Sequence, residues 1–248
     1  MFKKHRNILI VNIDPKATST SVESFKDKWS KPQRIIRITS PSKSEFVEKF
    51  PSYAQGIIDD YSEAERSRIL SVFRPSSKNK VLEKVREVFN LDITIPQGFY
   101  VAKTEPGFMW IRKEVTDYSQ GILIISEPYV DKEQFSENSI VARSNRDLKQ
   151  YIPGESEGTY MAIADDFIVP QWKQIDNFTS EYAVEMRGVW DVENDFMGGP
   201  FVSYTFVDPG NNQIITIMGY VYHPNKKKRN LLRQLEAIIY SVKFRKVK

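Results

Sequence analysis

The first ninety residues alternate between short apolar runs and longer segments with helical periodicity. Asn7–Ile13 and Arg34–Thr39 are rich in β-branched residues, and a turn-forming Asp-Pro or Ser-Pro pair follows each run, which predicts two buried strands. Ser21–Trp29, which lies between them, is predicted to be a helix. Strands separated by helical stretches indicate an α/β layer over residues 1–90, with parallel pairing of the strands.

A long helical region is predicted to follow the second strand. Ser42 and Glu45 have the spacing of a capping box at its start, and Pro51 is expected to kink or divide the helix. A shorter helix with one apolar face comes next. The apolar positions that define the two helices are Phe46, Phe50, Tyr53, Ile57, Tyr61, Ile69 and Phe73 in the first, and Val81, Leu82, Val85, Val88 and Phe89 in the second.

From Leu91 onward the pattern changes to hairpins. Strand-like runs flank turn signals at residues 105–107 and 208–212. Residues 91–248 are therefore predicted to form an antiparallel sheet with helices on one face and a closing C-terminal helix, and the fold class of the whole chain is α+β. The predicted strands are Phe99–Lys103, Phe108–Lys113, Gly121–Ser126, Tyr182–Glu193, Phe201–Val207 and Gln213–Tyr222. Ser139–Gln150 is predicted to be a helix, and the apolar face of the closing helix is formed by Leu231, Leu232, Leu235, Ile238, Ile239 and Val242.

Tyr182–Glu193 has a clean alternation of apolar and polar residues. Because successive side chains of a strand point to opposite faces, this run predicts one core face and one solvent face. The predicted core residues are Tyr182, Val184, Met186, Trp190 and Val192, and the predicted solvent-facing residues are Glu185, Arg187, Asp191 and Glu193.

The composition is that of an ordinary globular protein, with 40% apolar and 27% charged residues in a chain of 248. No apolar run is long enough to span a membrane. The chain has no cysteine, which excludes disulfides and thiolate metal sites. Since His5 and His223 are the two histidines, no cofactor and no metal site is expected.

The net charge of +4 hides an uneven distribution along the chain. Residues 1–90 have 18 Lys and Arg against 11 Asp and Glu, for a net +7. Residues 91–225 have 9 Lys and Arg against 20 Asp and Glu, for a net charge of −11. Residues 226–248 have 9 Lys and Arg against 1 Glu, for a net charge of +8. A basic C-terminal element thus follows an acidic middle region, and this asymmetry is more informative about partners than the overall charge.

Sequence signatures of known catalytic sites are absent. We find no nucleophile elbow, P-loop, dinucleotide-binding glycine motif or zinc-protease motif. A hydrolase that uses carboxylates stays open as an alternative function, with Glu185, Asp191, Glu193 and Asp195 as candidates. A row formed by the last three could hold a hard cation, but a solvated charged face explains it better because such sites need more oxygen ligands.

The densest group of unusual residues follows the predicted strand Tyr182–Glu193. Phe196 and Met197 precede two glycines and a proline, which predicts a loop over residues 195–200. The favoured interpretation is that Phe196 and Met197 close the end of the core. The alternative is a ligand or partner site, since loops also carry function. The candidate site residues are Arg187, Trp190, Asp195, Phe196, Met197, Gly198 and Gly199, and Ile152–Glu155 forms a second loop of similar character.

The predicted C-terminal helix begins with a cluster of cations. Asn225 is expected to be its N-cap, so that Lys226, Lys227, Lys228 and Arg229 would fill the first turn, where the helix dipole disfavours positive charge. One interpretation is a binding site for an anion or an acidic protein. The other, which we favour, is that these side chains extend into water or pair with the acidic middle region.

Motifs along most of the chain are similar to those of domain of unknown function 4837, a family of Bacteroidetes lipoproteins. The Asp195–Pro200 string is the most specific of them. The motifs that carry the resemblance are Arg187-Gly188-x-Trp190, Asn194–Ser203, Gly219–Tyr222, Lys228–Leu231, Leu235–Ala237, Arg6–Ile8, Val11–Asp14, Ile152–Gly154 and Glu157-Gly158. The resemblance implies an α+β envelope protein without known activity, and it supplies no catalytic residues.

The chain departs from this family at its start. Family members begin with an export signal, a lipid-modified cysteine and a further strand-and-helix segment, whereas this chain starts at the Arg6–Ile8 strand. We therefore expect a shortened chain that lacks an upstream strand and an N-terminal lipid anchor. The order of strands followed by a closing helix also resembles PsbP-type lipoproteins, as an analogy of fold.

The leading functional hypothesis is a non-enzymatic envelope module, on the periplasmic side and lipid-anchored in its full-length form. Its expected partner is a protein or an anionic envelope component, and membrane contact is expected through the lipid anchor alone. Nucleic-acid binding is not expected, because the basic C-terminus lacks interleaved aromatic residues and follows an acidic region.

Overall fold

The computed structural model describes residues 2–165, 168–176 and 178–245. They form mixed helices and sheets, and the predicted α+β class is confirmed. Backbone contacts divide the chain into two compact units, Met1–Ile69 and Leu70–Lys248. None of the helices in the described ranges is both long and apolar enough to cross a membrane.

The first unit contains a three-stranded sheet and most of a long helix. The elements are β1 (Asn7–Ile13), β2 (Ser21–Lys26), β3 (Arg34–Ser40) and α1 (Lys43–Phe73). The strand order is β1-β3-β2, and β1 is parallel to β3, which confirms the predicted parallel pairing. Ile36 and Ile38 of β3 pack against Ile57 of α1 to form the core of this unit.

Two predictions about this sheet are wrong. Ser21–Trp29 is not a helix, because its first six residues form β2. This strand pairs along its whole length with β3, and Glu23 forms an ion pair with Arg37 across the two strands. The strand β1 is not buried. It lies at the sheet edge, so Leu9 and Val11 keep more than 40% of their surface exposed.

The helix α1 starts as the sequence predicts and continues without interruption through Pro51. The hydroxyl of Ser42 accepts a hydrogen bond from the backbone N–H of Glu45 at 3.2 Å, which is one half of a capping box. The carboxylate of Glu45 is directed to Thr20, whose backbone N–H and hydroxyl donate to it at 2.9 and 2.8 Å. This contact ties the start of the helix to the start of β2.

The second unit is built on a large antiparallel sheet. Its strand order is β5-β6-β7-β12-β11-β10-β8, with β9 paired to β10, and β4 pairs separately with β13. The predicted hairpins and the helices α2 and α3 are confirmed. The elements are α2 (Lys80–Phe89), β4 (Leu91–Asp92), β5 (Tyr100–Glu105), β6 (Phe108–Val115), β7 (Tyr118–Pro128), α3 (Glu137–Tyr151), β8 (Met161–Ala164), β9 (Gln171–Ile175), β10 (Ala183–Val192), β11 (Gly198–Asp208), β12 (Gln213–Tyr222), α4 (Arg229–Tyr240) and β13 (Lys243–Phe244).

Helices cover both faces of this sheet, whereas one covered face was predicted. The face with Ile122 and Ile124 of β7 packs with α2 and α4. The opposite face, with Leu123 and Ile125 of the same strand, packs with α3. The strand β7 is therefore buried on both sides, as its unbroken apolar run predicts.

Candidate functional site

A pocket opens at one end of the large sheet. Neighbouring strands here are antiparallel, in the order β7, β12, β11 and β10. The ends of β10 and β12 therefore lie beside the beginnings of β7 and β11 at this edge. We call this the pocket end of the sheet. The cavity has a volume of about 370 Å³, which lies within the range of ligand sites in proteins. Its lining residues are Trp110, Arg112, Ser119, Ile152, Pro153, Gly154, Glu155, Met161, Trp190, Val192, Asp195, Met197 and Tyr220.

Three aromatic side chains from different strands meet in this pocket. The indole Nε1 of Trp110 donates a hydrogen bond of 2.8 Å to the hydroxyl of Tyr220. The rings of Tyr220 and Trp190 meet edge to face, with centroids 5.1 Å apart. Burial raises the pKa of Tyr220 to about 12, and the hydrogen bond from Trp110 opposes this only in part. The hydroxyl of Tyr220 is thus a neutral, fixed acceptor for Trp110.

A glycine gives Tyr220 the space to reach β6. Gly121 of β7 is the direct cross-strand partner of Tyr220, and Arg112 of β6 is the partner of Gly121 on its other side. A Cβ atom at Gly121 would lie 2.1 Å from a ring carbon of Tyr220. The ring therefore lies across β7 where Gly121 has no side chain, and only glycine leaves this path open.

One positive charge lies among these aromatic residues. The guanidinium carbon of Arg112 is 4.6 Å from the ring centroid of Trp110, and Arg112 also forms an ion pair with Glu114. This arrangement holds the planar guanidinium against the indole face. The pocket therefore combines apolar walls with a fixed cation.

The loop after α3 forms one wall of the pocket. The N–H of Gly154 donates to the carbonyl of Thr159 at 2.9 Å, and the hydroxyl of Thr159 donates to the carbonyl of Ser156 at 2.6 Å. The N–H of Met161 donates to the carbonyl of Ile152 at 3.0 Å and closes the loop. These internal bonds fix residues 152–155 at the rim.

The β10–β11 turn forms the adjoining wall, and the N–H of Glu193 joins it to the loop by donating to the carbonyl of Tyr160 at 2.9 Å. It is closed by a hydrogen bond of 2.9 Å from the N–H of Val192 to the carbonyl of Met197. Asp195 and Met197 line the pocket, but Phe196, at the tip of the turn between them, is fully exposed. The prediction that Phe196 closes the core is wrong, because the turn directs its side chain away from the sheet while Met197 packs on the apolar cluster.

The two glycines of the predicted loop are in fact the first residues of β11. Gly199 pairs with Trp190, and a Cβ atom at Gly199 would lie 2.0 Å from the carbonyl oxygen of Val221 and 3.2 Å from the indole nitrogen of Trp190. The absence of a side chain at Gly199 lets the indole of Trp190 and the neighbouring strand approach closely. Gly198 and Gly199 thus act through packing at the back of the pocket.

Arg187 lies on the other face of the sheet, away from the pocket. Its guanidinium donates to Glu185 at 2.8 and 3.0 Å and to Glu236 of α4 at 3.0 Å, and the hydroxyl of Tyr204 donates to Glu185 at 2.7 Å. Glu185 is only 4% exposed, so its predicted position in solvent is wrong. Burial raises the pKa of Glu185, but the contacts with Arg187, Tyr204 and Lys173 outweigh it and lower the pKa overall.

The basic segment precedes its helix. The first helical residue of α4 is Arg229 and Lys228 occupies the N-cap position without a side-chain cap, while Asn225 has a left-handed backbone with φ of 57°. The prediction that Asn225 caps the helix is therefore wrong. Within the described ranges no carboxylate lies within 4.0 Å of the cations of Lys226–Arg229. Because the segment follows β12, it leaves the sheet at the pocket end.

Acidic side chains at the site are few and exposed. Glu155 and Asp195 both line the pocket and face solvent, whereas Glu185 lies buried on the opposite face of the sheet. The described residues contain no group of three or more His, Asp or Glu side chains positioned to hold a metal ion.

The sequence identified part of this site. Trp190, Asp195 and Met197 belong to it, and the second loop at residues 152–155 meets them there. Trp110, Arg112 and Tyr220 were missed, because aromatic residues in apolar strands are ordinarily core residues. The signal that could have found them is Gly121 in an otherwise β-branched strand, which is typical of a close approach by another group.

Two family models match parts of the chain. The model of a family described as domain of unknown function (DUF4837) matches residues 77–241, and that of a second, domain of unknown function (DUF8532), matches residues 1–74. None of the curated proteins matches significantly.

Two solved structures show a distant likeness. LpqN of Mycobacterium tuberculosis, described as involved in cell envelope biogenesis, is 10% identical, with 62% of this chain and 82% of that chain covered and a TM-score of 0.37. The Saccharomyces cerevisiae Ran-binding protein Mog1p is 7% identical, with 63% and 90% covered and a TM-score of 0.38.

Proposed function

This chain belongs to the DUF4837 family, and we propose that it is a non-enzymatic binding module that holds a partner protein at the pocket end of its large sheet. The observation that carries the proposal is Phe196, a fully exposed aromatic side chain on the turn that forms one wall of the pocket. Its neighbours Asp195 and Met197 line the cavity, so a partner that covers Phe196 also meets the pocket.

The exposed ring of Phe196 favours a contact with an apolar surface. Complete burial of such a side chain is worth about 1.5–3 kcal/mol, and aromatic residues are enriched where interfaces bury their core. The turn is held by the backbone hydrogen bond from Val192 to Met197 and by a 2.6 Å bond from the N–H of Phe196 to the Asp195 carboxylate. Little conformational entropy is therefore lost when a partner covers the ring.

The pocket beside Phe196 suits a side chain of the partner. A cavity of about 370 Å³ accommodates one large apolar group, and the methionines Met161 and Met197 adapt readily to its shape. Arg112 on one side of the cavity is paired with Glu114, but its Nε has no hydrogen-bond partner among the described residues and can donate to a carboxylate or carbonyl of the same partner. An inserted apolar anchor surrounded by polar contacts is the usual arrangement of an energetic hot spot.

The basic segment extends the surface at the same end of the sheet. Lys226 and Lys227 are exposed and have no carboxylate partner in the described ranges, so they attract an acidic region of the partner. We propose that this module acts at the cell envelope and is held there by a lipid anchor. This location rests on the resemblance of its motifs to a family of Bacteroidetes lipoproteins, and fractionation of cells that express the protein from its native gene tests it.

Affinity capture with matched variants tests the proposed function. The baits are the wild-type chain, Phe196→Ser, and a control, Val130→Ser, which removes another highly exposed apolar side chain at the opposite end of the sheet. We expect at least one envelope protein to be retained by the wild type and by the control and to be lost about tenfold or more with Phe196→Ser, as at a hot spot. Equal recovery by all three baits would contradict the proposal.

A charge-reversal variant, with Lys226, Lys227 and Lys228 changed to Glu, separates the two kinds of partner. A protein partner requires both Phe196 and the lysines. If binding to anionic vesicles or to isolated cell-wall polymer depends on the lysines and is unchanged in Phe196→Ser, the ligand is an anionic envelope component and the protein-partner proposal fails.

A carboxylate-dependent hydrolase is the second candidate, because Glu155 and Asp195 line the same pocket. A hydrolase of this kind places an acid and a base on either side of the bond that is cleaved. Turnover of chromogenic glycosides or esters that disappears in Glu155→Gln and in Asp195→Asn would support it. No turnover by the wild type, or turnover that both variants retain, would end it.

A further inference from the structure

The first unit has a pocket of its own, which is separate from the proposed function of the second unit. It has a volume of about 340 Å³ and lies on the side of the β1-β3-β2 sheet opposite α1. Ile35 and Arg37 point to this side, since the alternate residues Ile36 and Ile38 face the helix. We propose that this pocket binds a small aromatic anion, that is, an aromatic ring that carries a carboxylate, sulfonate or phosphate group.

Two aromatic rings form the side of this pocket, and both lie next to cations. The ammonium group of Lys28 is 5.0 Å from the ring centroid of Phe25 and 5.6 Å from that of Trp29. Lys3 also lies over Trp29, at 5.6 Å, and the guanidinium carbon of Arg37 is 5.2 Å from the ring centroid of Phe25. A flat apolar group that enters the pocket can therefore stack on a ring while its substituent meets a positive charge.

The charge of this cluster favours an anion. Arg37 is neutralised by Glu23, whose carboxylate accepts two hydrogen bonds from it at 3.0 and 2.7 Å. Lys3 and Lys28 have no carboxylate within 4.0 Å in the part of the chain that the structure describes. Two uncompensated positive charges beside aromatic rings disfavour a cationic ligand, and they bind an anionic ring better than a neutral one of the same shape.

A buried glutamine holds the walls of the pocket in place. Gln33 is 3% exposed, and its amide nitrogen donates to the carbonyls of Lys3 and His5 at 2.8 and 2.7 Å. Its amide oxygen accepts a hydrogen bond from the backbone N–H of Trp29 at 3.0 Å. One side chain thus ties the N-terminal segment with Lys3 to the loop with Trp29. Because the pocket is formed in advance, binding requires little ordering.

The floor of the pocket is apolar. Ile35 of β3 is 1% exposed, and the half-buried Ile10 of β1 lies beside it. Asn12 lines the cavity at the far end of β1 and can donate to an anionic oxygen. The pocket thus has an apolar floor, aromatic rings along its side and cations at its rim. This arrangement suits a ligand with a flat body and one charged end.

Titration of the whole chain with 2-naphthoate tests the proposal, with the neutral 2-naphthamide as the matched comparison. The chain has four tryptophans, so its indole N–H signals in a nitrogen–proton correlation spectrum report on each site separately. Trp29→Phe identifies the Trp29 signal. We expect 2-naphthoate to shift this signal, to bind more tightly than 2-naphthamide, and to lose affinity as salt is added.

The variant Lys28→Gln supplies the decisive comparison. It should weaken 2-naphthoate binding by about two- to fivefold, the range for one exposed charge pair. The control Lys26→Gln removes a cation from the opposite face of β2 and should leave the affinity unchanged. The proposal is overturned if Trp29 does not shift, if the amide binds as tightly as the carboxylate, or if Lys28→Gln binds like the control. Shifts of the Trp110 or Trp190 signal alone would assign binding to the other pocket and would also overturn it.

Discussion

Replacement of Glu185 by Gln is predicted to destabilise the second unit substantially. The carboxylate is 4% exposed and accepts three hydrogen bonds, at 2.8 and 3.0 Å from Arg187 and at 2.7 Å from the hydroxyl of Tyr204. The ammonium group of Lys173 lies 3.3 Å away. Glutamine keeps the shape of the side chain but removes the negative charge on which these contacts depend.

The size of this loss of stability depends on the Arg187 charge that stays without its partner in the variant. Removal of one member of a buried ion pair costs about 3–5 kcal/mol, because the other charge stays without compensation. Arg187 retains its 3.0 Å contact with Glu236 and is about a third exposed, at 35%, so the lower end applies. A loss of about 3 kcal/mol corresponds to a fall in Tm of about 6–12 °C for a unit of this size.

Thermal and urea unfolding between pH 7 and pH 3 measure this effect. The contacts lower the pKa of Glu185 below 4.5 in the folded state, so its contribution is complete above that pH and is lost as the pH falls through the folded-state pKa. The difference between wild type and Glu185→Gln should therefore narrow in acid. Glu181→Gln, an exposed control, should change the stability by less than about 0.5 kcal/mol. Equal stability of Glu185→Gln and wild type at pH 7, or a difference that does not depend on pH, would refute the reasoning.

Three further predictions concern the pocket and the long helix. Gly121→Ala should cost about 1–3 kcal/mol in urea unfolding and move the Trp110 indole signal, because the new methyl group displaces the ring of Tyr220; an unchanged signal would contradict this. Burial raises the folded-state pKa of Tyr220 to about 12, so its hydroxyl contributes stability that is complete below pH 10 and is lost as the pH rises from 10 to 12. Tyr220→Phe has no such group and should therefore lose less stability over this range; unfolding curves at pH 9 to 12 measure the difference. Pro51→Ala should stabilise the first unit by up to about 3 kcal/mol, because Pro51 lies inside a continuous helix; a loss of stability would show that the proline is favourable there.

Much of the fold could be predicted from local patterns, and the errors arise where distant contacts decide. The hairpins and α2 follow from periodicity and turn residues. The segment that becomes β2 mixes charged and apolar residues, and its strand depends on pairing with β3 and on the Glu23–Arg37 contact. The start of α4 was also misplaced, because Asn225 adopts a left-handed backbone and leaves the lysines ahead of the helix.

The candidate site was predictable as a region, but its geometry was not. Composition shows that residues 195–200 are unusual, yet it does not tell which side chain faces the core. The hydrogen bond between Val192 and Met197 decides this, since it directs Met197 inward and leaves Phe196 in solvent. The contribution of Trp110 and Tyr220 depends on Gly121, which lies on the strand between them, and no local pattern contains that alignment.

Site-specific photo-crosslinking at the pocket end is the most direct test of the binding proposal. A photoreactive phenylalanine analogue at position 196 replaces the exposed ring with one of similar shape, and the same analogue at position 130 samples an exposed site at the opposite end of the sheet. In irradiated cells we expect a discrete protein adduct from position 196 and none from position 130. No adduct from position 196, or the same adducts from both positions, would contradict the proposal that this surface holds a partner protein.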